Sequence, residues 1–348
     1  MASHSPTPPF VDDQSALLII DWSWWLNKAF RIVGVDGMTA MIVGWLTSTL
    51  AYHPAHVALA LDSPGPTFRH RMRHPTDEAW RYKAGREIKP DDFYVIAARC
   101  TEIAEMHGIP ALWADEYEAD DVAATATRKA RAAGYRVWIC SADKDLEGLV
   151  EESDNYGILV GLWNNSESTI MGPEDVLERR KVTPAQIADL LAITGDSGDN
   201  VPGVRGLGGE KAAAILRAYG NLESALGAQQ DDVDHLTAEI NAAAKALKKA
   251  PAIDQPVIRA QRESLKDARS LARDHRVLLD SAEVARFSRQ LTGLDFDAPV
   301  DVPWDQIPIG GYDVEALRAR YKSLGFEQKF SQVTTFRKRA PWAIGYNG

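Results

Sequence analysis

Three short apolar runs mark the first half of the chain, and each ends in an acid. Ala16-Leu17-Leu18-Ile19-Ile20 is closed by Asp21, His56-Val57-Ala58-Leu59-Ala60-Leu61 by Asp62, and Arg136-Val137-Trp138-Ile139-Cys140-Ser141-Ala142 by Asp143. Continuous apolar runs of this length suit strands buried on both faces, as in a parallel sheet. Between them the spacing turns helical, around Thr39–Ala51, Asp91–His107 and Asp120–Ala133, the last closed by Gly134. Strand alternating with helix predicts an α/β fold: a mostly parallel central sheet flanked by helices, with sites at the carboxyl ends of its strands. The acids at the ends of those runs are then expected at one edge of the sheet.

The texture changes along the chain. Residues 1–14 are polar and Pro-rich and read as a disordered leader ahead of an α/β domain over 15–180. Within that domain an Arg- and His-rich insertion at about 63–90 has no clear apolar face and is expected as a mobile loop or helical arch. From Thr183 onward short Ala-rich helices alternate with glycine turns, giving a helical region over 181–290 with a helix–hairpin–helix at about 190–220. Glu239–Ala250 reads as helix, and Tyr312–Phe330 as an amphipathic helix with an aromatic anchor. These place a C-terminal segment, 291–335, back on the first domain, followed by a tail, 336–348.

Composition narrows the picture. An apolar fraction of 45% supports a substantial core, and the net charge of −10 is opposite in sign to that of a general nucleic-acid binder. Two local facts temper that sign. Nine of the acids are candidate cation ligands, and Arg69 to Lys89 carries seven basic residues against three acids, a patch that suits phosphate. Cys100 and Cys140 allow neither a disulfide framework nor a zinc spacing. No apolar stretch approaches the ~20 residues that cross a bilayer, and no signal-peptide core is present. A reducing cytoplasm and no membrane partner are the expectation.

The candidate chemistry lies in Asp21, Asp62, Glu118, Asp120, Asp121, Asp143, Asp145, Asp196 and Asp199. Carboxylates this close repel, and a hard divalent cation is what lets a fold tolerate them. Oxygen-only ligands suit Mg²⁺ or Mn²⁺, and two such ions suggest phosphate-ester chemistry. Each set also has an ordinary reading: first-turn acids cap helices, and Asp-rich stretches make turns. Ideal helix phase puts Glu118 and Asp121 on one face and Asp120 elsewhere, so a site using all three needs the segment to begin in the loop.

Cations and glycines complete the set. Lys83 or Arg86, within Tyr82-Lys83-Ala84-Gly85-Arg86, could neutralise a scissile phosphate, and Tyr82 could stack on a base. Arg69, Arg73, His70 and His74 are assigned to the basic surface. Gly203, Arg205, Gly206, Gly208 and Lys211 form a glycine hairpin whose backbone N–H groups can approach phosphate, with a simple tight turn as the alternative. No apolar strand directly precedes it, which disfavours a dinucleotide fingerprint. Core packing is the default for Trp22, Trp24 and Trp25, with base stacking at a duplex end as the alternative.

With these residues placed, the chain resembles the flap endonuclease / 5′–3′ exonuclease family, which includes the 5′-nuclease domain of bacterial DNA polymerase I, exonuclease IX and phage 5′-exonucleases. The matching stretches are Leu18-Ile-Ile-Asp21, Leu61-Asp62 with Phe68-Arg69, Tyr82-Lys-Ala-Gly-Arg86, Tyr117-Glu-Ala-Asp-Asp121, Ser141-Ala-Asp-Lys-Asp145-Leu146 and Thr194 to Gly208. The resemblance implies a PIN-like nuclease fold with a helical arch carrying Lys83 and Arg86. It implies one metal site from Asp21, Asp62, Glu118 and Asp120, a second from Asp143, Asp145, Asp196 and Asp199, and Asp121 near both. It implies a hairpin that grips duplex backbone, with K⁺ bound there. Hydrolysis near a free 5′ end would leave a 5′-phosphate and a 3′-hydroxyl. The expected partners are 5′ flaps, nicked or gapped duplex, free 5′ ends and RNA primers on DNA, met by a monomer.

Two features depart from the family. Lys211 follows the last hairpin glycine, Gly208, by three residues rather than two, and the stretch between Phe68 and Tyr82 is longer than in polymerase-linked domains. No polymerase domain follows, which reads as a stand-alone enzyme. Three rival readings stand beside this one. A PIN-type ribonuclease is disfavoured by the length, hairpin and basic insertion, and a non-catalytic junction binder by the retained acids. An aspartyl phosphatase would need Asp-x-Asp after the first strand, where this chain has Asp21-Trp-Ser-Trp.

Overall fold

The computed structural model describes residues 10, 11, 13–153, 157–164, 169–228, 238–243, 245, 255–304, 306–309 and 312–330. The chain divides into two compact units, one built from residues 1–68, 87–175 and 294–348, the other from 69–86 and 176–293.

The first unit is the expected α/β body. Its strands are β1 (Ala16–Asp21), β2 (His56–Ala60), β3 (Ala111–Leu112), β4 (Arg136–Cys140), β5 (Glu151–Ser153), β6 (Gly157–Asn164) and β7 (Thr169–Met171). They form one sheet in the order β3-β2-β1-β4-β6-β5, with β7 also on β6. The β1–β2, β1–β4, β2–β3 and β4–β6 pairs are parallel, and only β5 and β7 run antiparallel to β6. All six residues of β1 are buried, as the apolar run requires. Strand order reverses beside β1, so the crevice between the ends of β1 and β4 is the topological switch point where such sheets bind ligands.

Around the sheet lie α1 (Trp22–Leu50), α2 (Asp91–Met106) and α3 (Ala119–Ala132), with α4 (Pro173–Arg180) spanning the unit boundary. α3 packs on β1, β2 and β4, and α1 on α2 and β2. Trp22, Trp25, Leu26, Met38, Ile42 and Leu46 are buried in the main core, as the packing default for the tryptophans anticipates; Trp24 is only partly buried and packs against it. By length and composition α1 could cross a membrane, which inspection for unbroken apolar runs does not reveal. Its ladder is interrupted at Gly34, with φ of 65°, and its apolar face lines this core. The chain packs earlier than the anticipated leader boundary at 14: Phe10 is buried edge-to-face on Trp163, ring centroids 5.0 Å apart, and Arg136 pairs with Asp13.

Sequence periodicity missed β3 and β5–β7. β3 has two residues, and its row is extended by the C-terminal segment: Val57 N–H donates to Ile307 O at 2.9 Å and Ile309 N–H to Ala55 O at 3.0 Å. β6 carries Gly161, where a Cβ would lie 2.2 Å from the Trp138 ring, so the glycine is dictated by its neighbour. The C-terminal helix (Val314–Ser323) is shorter than the Tyr312–Phe330 expectation; of the expected helix Glu239–Ala250, residues 239–243 and 245 are helical and the others lie outside the described residues.

The second unit is helical: α5 (Ile187–Thr194), α6 (Gly209–Tyr219), α7 (Leu222–Gly227), α8 (Gln255–Asp280) and α9 (Ala282–Thr292). α10 (Val314–Ser323) returns to the first unit. The α5–loop–α6 hairpin is where the glycines place it. Gly195 and Gly203 have φ of 75° and 62° and approach so closely that a Cβ on Gly203 would meet Gly195 N at 2.3 Å.

The segment expected as an arch differs from expectation. Residues 63–90 contain a single 3₁₀ turn, Phe68–Arg71, and no α-helix, and 69–86 group with the helical unit. Apolar residues that lack a periodic face still bury: Trp80 and Tyr82 join Val201, Phe287 and Leu291 in a small core. Arg69, read as a surface DNA contact, is only 3% exposed, and its guanidinium donates to Leu291 O at 2.9 Å and Gly293 O at 2.6 Å, closing the end of α9. Truncating it strands two carbonyls, so Arg69→Ala should cost about 2–3 kcal/mol in urea denaturation. Arg73→Ala, on an exposed side chain, should stay within about 0.5 kcal/mol. Equal midpoints for the two variants would contradict this role.

Candidate functional site

Each carboxylate of the α/β unit is presented by a strand end or by the first turn of α3. Asp21 ends β1 and caps α1, accepting from Trp24 N–H at 3.0 Å. Ser141, one residue beyond β4, donates its hydroxyl to Asp21 Oδ2 at 2.7 Å and accepts from Asp143 N–H at 3.0 Å. That serine ties the ends of two neighbouring strands together. Asp143 Oδ1 in turn accepts from Asp145 N–H at 3.1 Å. Asp62 follows β2; its N–H donates to Ser23 Oγ at 2.9 Å, and its Oδ1 accepts from Ala119 N–H at 2.8 Å. Ser23, Thr67 and Ser141 were not singled out from sequence. Only the position of Ser141 between an apolar run and Asp143 could have flagged one of them.

The phase problem at the start of α3 resolves through a capping box. Glu118 is extended (φ −91°, ψ 160°) and caps the helix, so the acidic segment does begin in the loop. Its carboxylate accepts from the Asp121 backbone and from Thr67 Oγ1, the latter at 3.2 Å. Asp121 is fully buried, and its oxygens accept from Glu118 N–H at 3.3 Å and from Asp295 N–H at 2.9 Å. Asp121 therefore holds the C-terminal segment on α3. Asp120 faces the other acids.

The electrostatics show which charges converge. Burial pushes the Asp21 carboxyl up from 3.8 to about 7; Asp143 and Asp62 add to the rise, while the bonds from Ser141 and Trp24 oppose it. Asp120 is pushed well above the usual carboxylate range by burial and by the charges of Asp143, Asp21, Asp145 and Glu118. Asp21, Asp62, Glu118, Asp120, Asp143 and Asp145 are thus mutually felt at one sheet edge, whereas Asp121 looks away. An all-oxygen set in which burial and neighbouring carboxylates hold Asp21 and Asp120 toward the neutral form fits a hard divalent cation, which would favour their ionised forms.

Asp196 and Asp199 belong to the helical unit. Asp196 Oδ1 accepts from Gly198 N–H at 3.0 Å, and its backbone bridges to Val201. Asp199 is held by the 80–86 segment: Tyr82 OH donates to Oδ2 at 3.0 Å, Lys83 Nζ lies 3.6 Å from Oδ2, and the Arg86 guanidinium binds Oδ1. Burial raises the Asp199 carboxyl, but Lys83 and Arg86 overcome that, and its pKa ends below the ordinary value. Trp80 Nε1 donates to Asn200 O at 2.7 Å, and Asn200 Nδ2 to Arg81 O at 2.8 Å. Tyr82, expected to stack on a base, is instead a buried clamp, 5% exposed. Lys83 and Arg86, expected on phosphate, are paired with a carboxylate. In the hairpin Arg205 is exposed, while Lys211 turns inward onto Gly206 O and Asp274.

Comparison with known proteins accords with this architecture. A family model described as "5′-3′ exonuclease, N-terminal resolvase-like domain" matches residues 18–181, and one described as "5′-3′ exonuclease, C-terminal SAM fold" matches 182–315. Similar curated proteins include DNA polymerase I of Chloroflexus aurantiacus, 32% identical over 282 residues (81% of this chain, 25% of that one). DNA polymerase I of Bacillus caldotenax is 30% identical over 303 residues (86% and 29%). The chain spans about a quarter of the length of these relatives. Among solved structures, the bacteriophage T5 5′-exonuclease with divalent metal ions (zinc) bound has a TM-score of 0.55 at 18% identity, covering 93% of this chain and 98% of that one. The catalytic core of Rad2 in complex with DNA substrate has a TM-score of 0.54 at 16% identity, covering 93% and 92%. At these identities the likeness is one of fold.

Two outcomes are expected. The folded chain favours protonated Asp21, so in metal-free buffer its contribution to stability falls as pH rises from 3.8 to about 7, by an amount on the order of a few kcal/mol. Wild type should therefore lose ground to Asp21→Asn across that window in thermal melts, and Mg²⁺ should remove the difference; parallel curves without metal would contradict it. Asp199→Asn should weaken docking of the 80–86 segment and speed trypsin cleavage after Lys83 or Arg86 by about fivefold. An unchanged digestion rate would dismiss the clamp.

Proposed function

Because the chain belongs to the 5′–3′ exonuclease family, we propose that it is a divalent-metal-dependent nuclease that hydrolyses DNA phosphodiesters near a free 5′ end. The observation that carries this reading is the convergence of Asp21, Asp62, Glu118, Asp120, Asp143 and Asp145 at the sheet's switch point. These side chains would hold the metal, Mg²⁺ or Mn²⁺, and Asp196 and Asp199 are proposed as further ligands. Bound divalent ions supply water of lowered pKa and stabilise charge on a leaving 3′-oxygen.

The remaining roles fall to the chain's own groups. Ser141 orients Asp21 and Asp143, Ala119 N–H fixes Asp62, and Thr67 fixes Glu118. Asp121 acts as scaffold, because its oxygens are engaged by backbone N–H groups. Lys83 and Arg86 would meet a substrate phosphate by exchanging one anion, Asp199, for another. Backbone-directed contacts give selectivity for structure over sequence. The proposed substrates are 5′ flaps, nicked or gapped duplex, and RNA primers on DNA. We further propose K⁺ at the hairpin, a monomer, and a cytoplasmic setting.

The test is incubation with a 5′-flap oligonucleotide, a nicked duplex and single-stranded RNA, with Mg²⁺ or EDTA. Metal-dependent cleavage of a DNA substrate is expected, and Asp143→Ala or Asp145→Ala should lower it by at least ~100-fold while DNA binding persists. No cleavage of any DNA substrate would sink the reading. Cleavage of RNA alone would favour the PIN-type ribonuclease.

A further inference from the structure

Lys211 sits in the first turn of α6, whose cap is Gly208. Its ammonium donates to Gly206 O at 2.9 Å and lies 3.3 Å from Asp274 Oδ1. Gly206 has φ of 91°, so the carbonyl that Lys211 grips belongs to a left-handed turn residue. Asp274 lies on α8, and its side chain is only 6% exposed. It also takes Arg273 Nη2 at 3.2 Å and Ser270 Oγ at 3.3 Å. The next residue, His275, bonds Tyr219 OH at 2.9 Å and Ala225 O at 2.7 Å, which fixes α8 against α6 and α7. Asp274 is thus carried on a fixed element.

Drawing Lys211 out to a phosphate would abandon a carboxylate nearly removed from water and release the turn carbonyl. Asp274 offsets one of the two cations on it, Lys211 and Arg273, so Lys211 adds less to the field a polyanion meets than a free ammonium would. Arg205, in the same turn, is exposed, and no hydrogen bond or ion pair engages it among the described residues.

We propose that Lys211 is an internal brace of the hairpin, that Asp274 is the residue positioning it, and that Arg205 makes the hairpin's ionic contact with duplex backbone. This rests on the DNA-binding reading above and refines it.

The experiment measures Kd for a nicked duplex in EDTA over a range of KCl concentrations. Each lost phosphate contact lowers the slope of log K against log salt by about 0.9. Arg205→Gln should show that loss. Lys211→Gln and Asp274→Asn should keep the wild-type slope while weakening binding roughly threefold, and the double variant should be no weaker than either single one. A slope change in Lys211→Gln equal to that of Arg205→Gln would overturn the proposal, as would wild-type affinity in Asp274→Asn. Should Asp274→Asn fail to fold, the half-exposed Lys211 variant decides alone. Failure of the wild type to bind any duplex removes the parent reading and this one together, and is distinguishable from both slope outcomes.

Discussion

Mutual repulsion among carboxylates at one sheet edge is the constraint around which the α/β unit is arranged. A parallel sheet must end its strands somewhere, and here β1, β2 and β4 end in or just before acids. Each is held by a group that could not serve an apolar replacement: a serine hydroxyl across two strands, a helix N–H, a capping box. These bonds aim the oxygens but leave the charge problem in place, and burial first, then the neighbouring carboxylates, makes Asp21 and Asp120 resist ionisation. On the function proposed above, a bound cation would relieve that repulsion.

Much of this was legible in sequence. Runs such as Leu17 to Ile20 are fully apolar because parallel strands bury both faces, so strand, sheet class and the acid-bearing edge follow from local pattern. Strands that depend on a distant partner did not announce themselves. β3 is too short to carry a period, and Gly161 in β6 looks like a strand breaker until the Trp138 ring is seen across the ladder. The capping box at Glu118 and Asp121 was half legible: acids in a first turn announce a cap, but three acids within four residues look alike and only the turn of the backbone separates Asp120 from Asp121.

The cations and aromatics taught a different lesson. Arg69 and Tyr82 lie in a stretch that reads as solvated and basic, and Lys211 in the glycine hairpin, yet Arg69 and Tyr82 are buried and the half-exposed Lys211 gives its ammonium to Gly206 O and Asp274. A long donor-bearing side chain near a helix end meets orphan carbonyls before it meets solvent. Arg69 closes α9 in this way, and Lys211 closes the hairpin turn. Charge counts along a sequence therefore overstate the positive surface available to a polyanion.

The sheet unit is assembled from three separated stretches of chain, the last beginning beyond residue 293. Groups near the start of β2 are satisfied by Ile307 and Ile309. During synthesis the β2 edge must wait for the whole helical unit to be translated, an interval on the order of ten seconds or more at ~5–20 residues per second. The helical unit, all of whose residues precede 294, can close first. The nascent protein thus passes through a stage in which its hairpin is complete while its sheet still has an open edge.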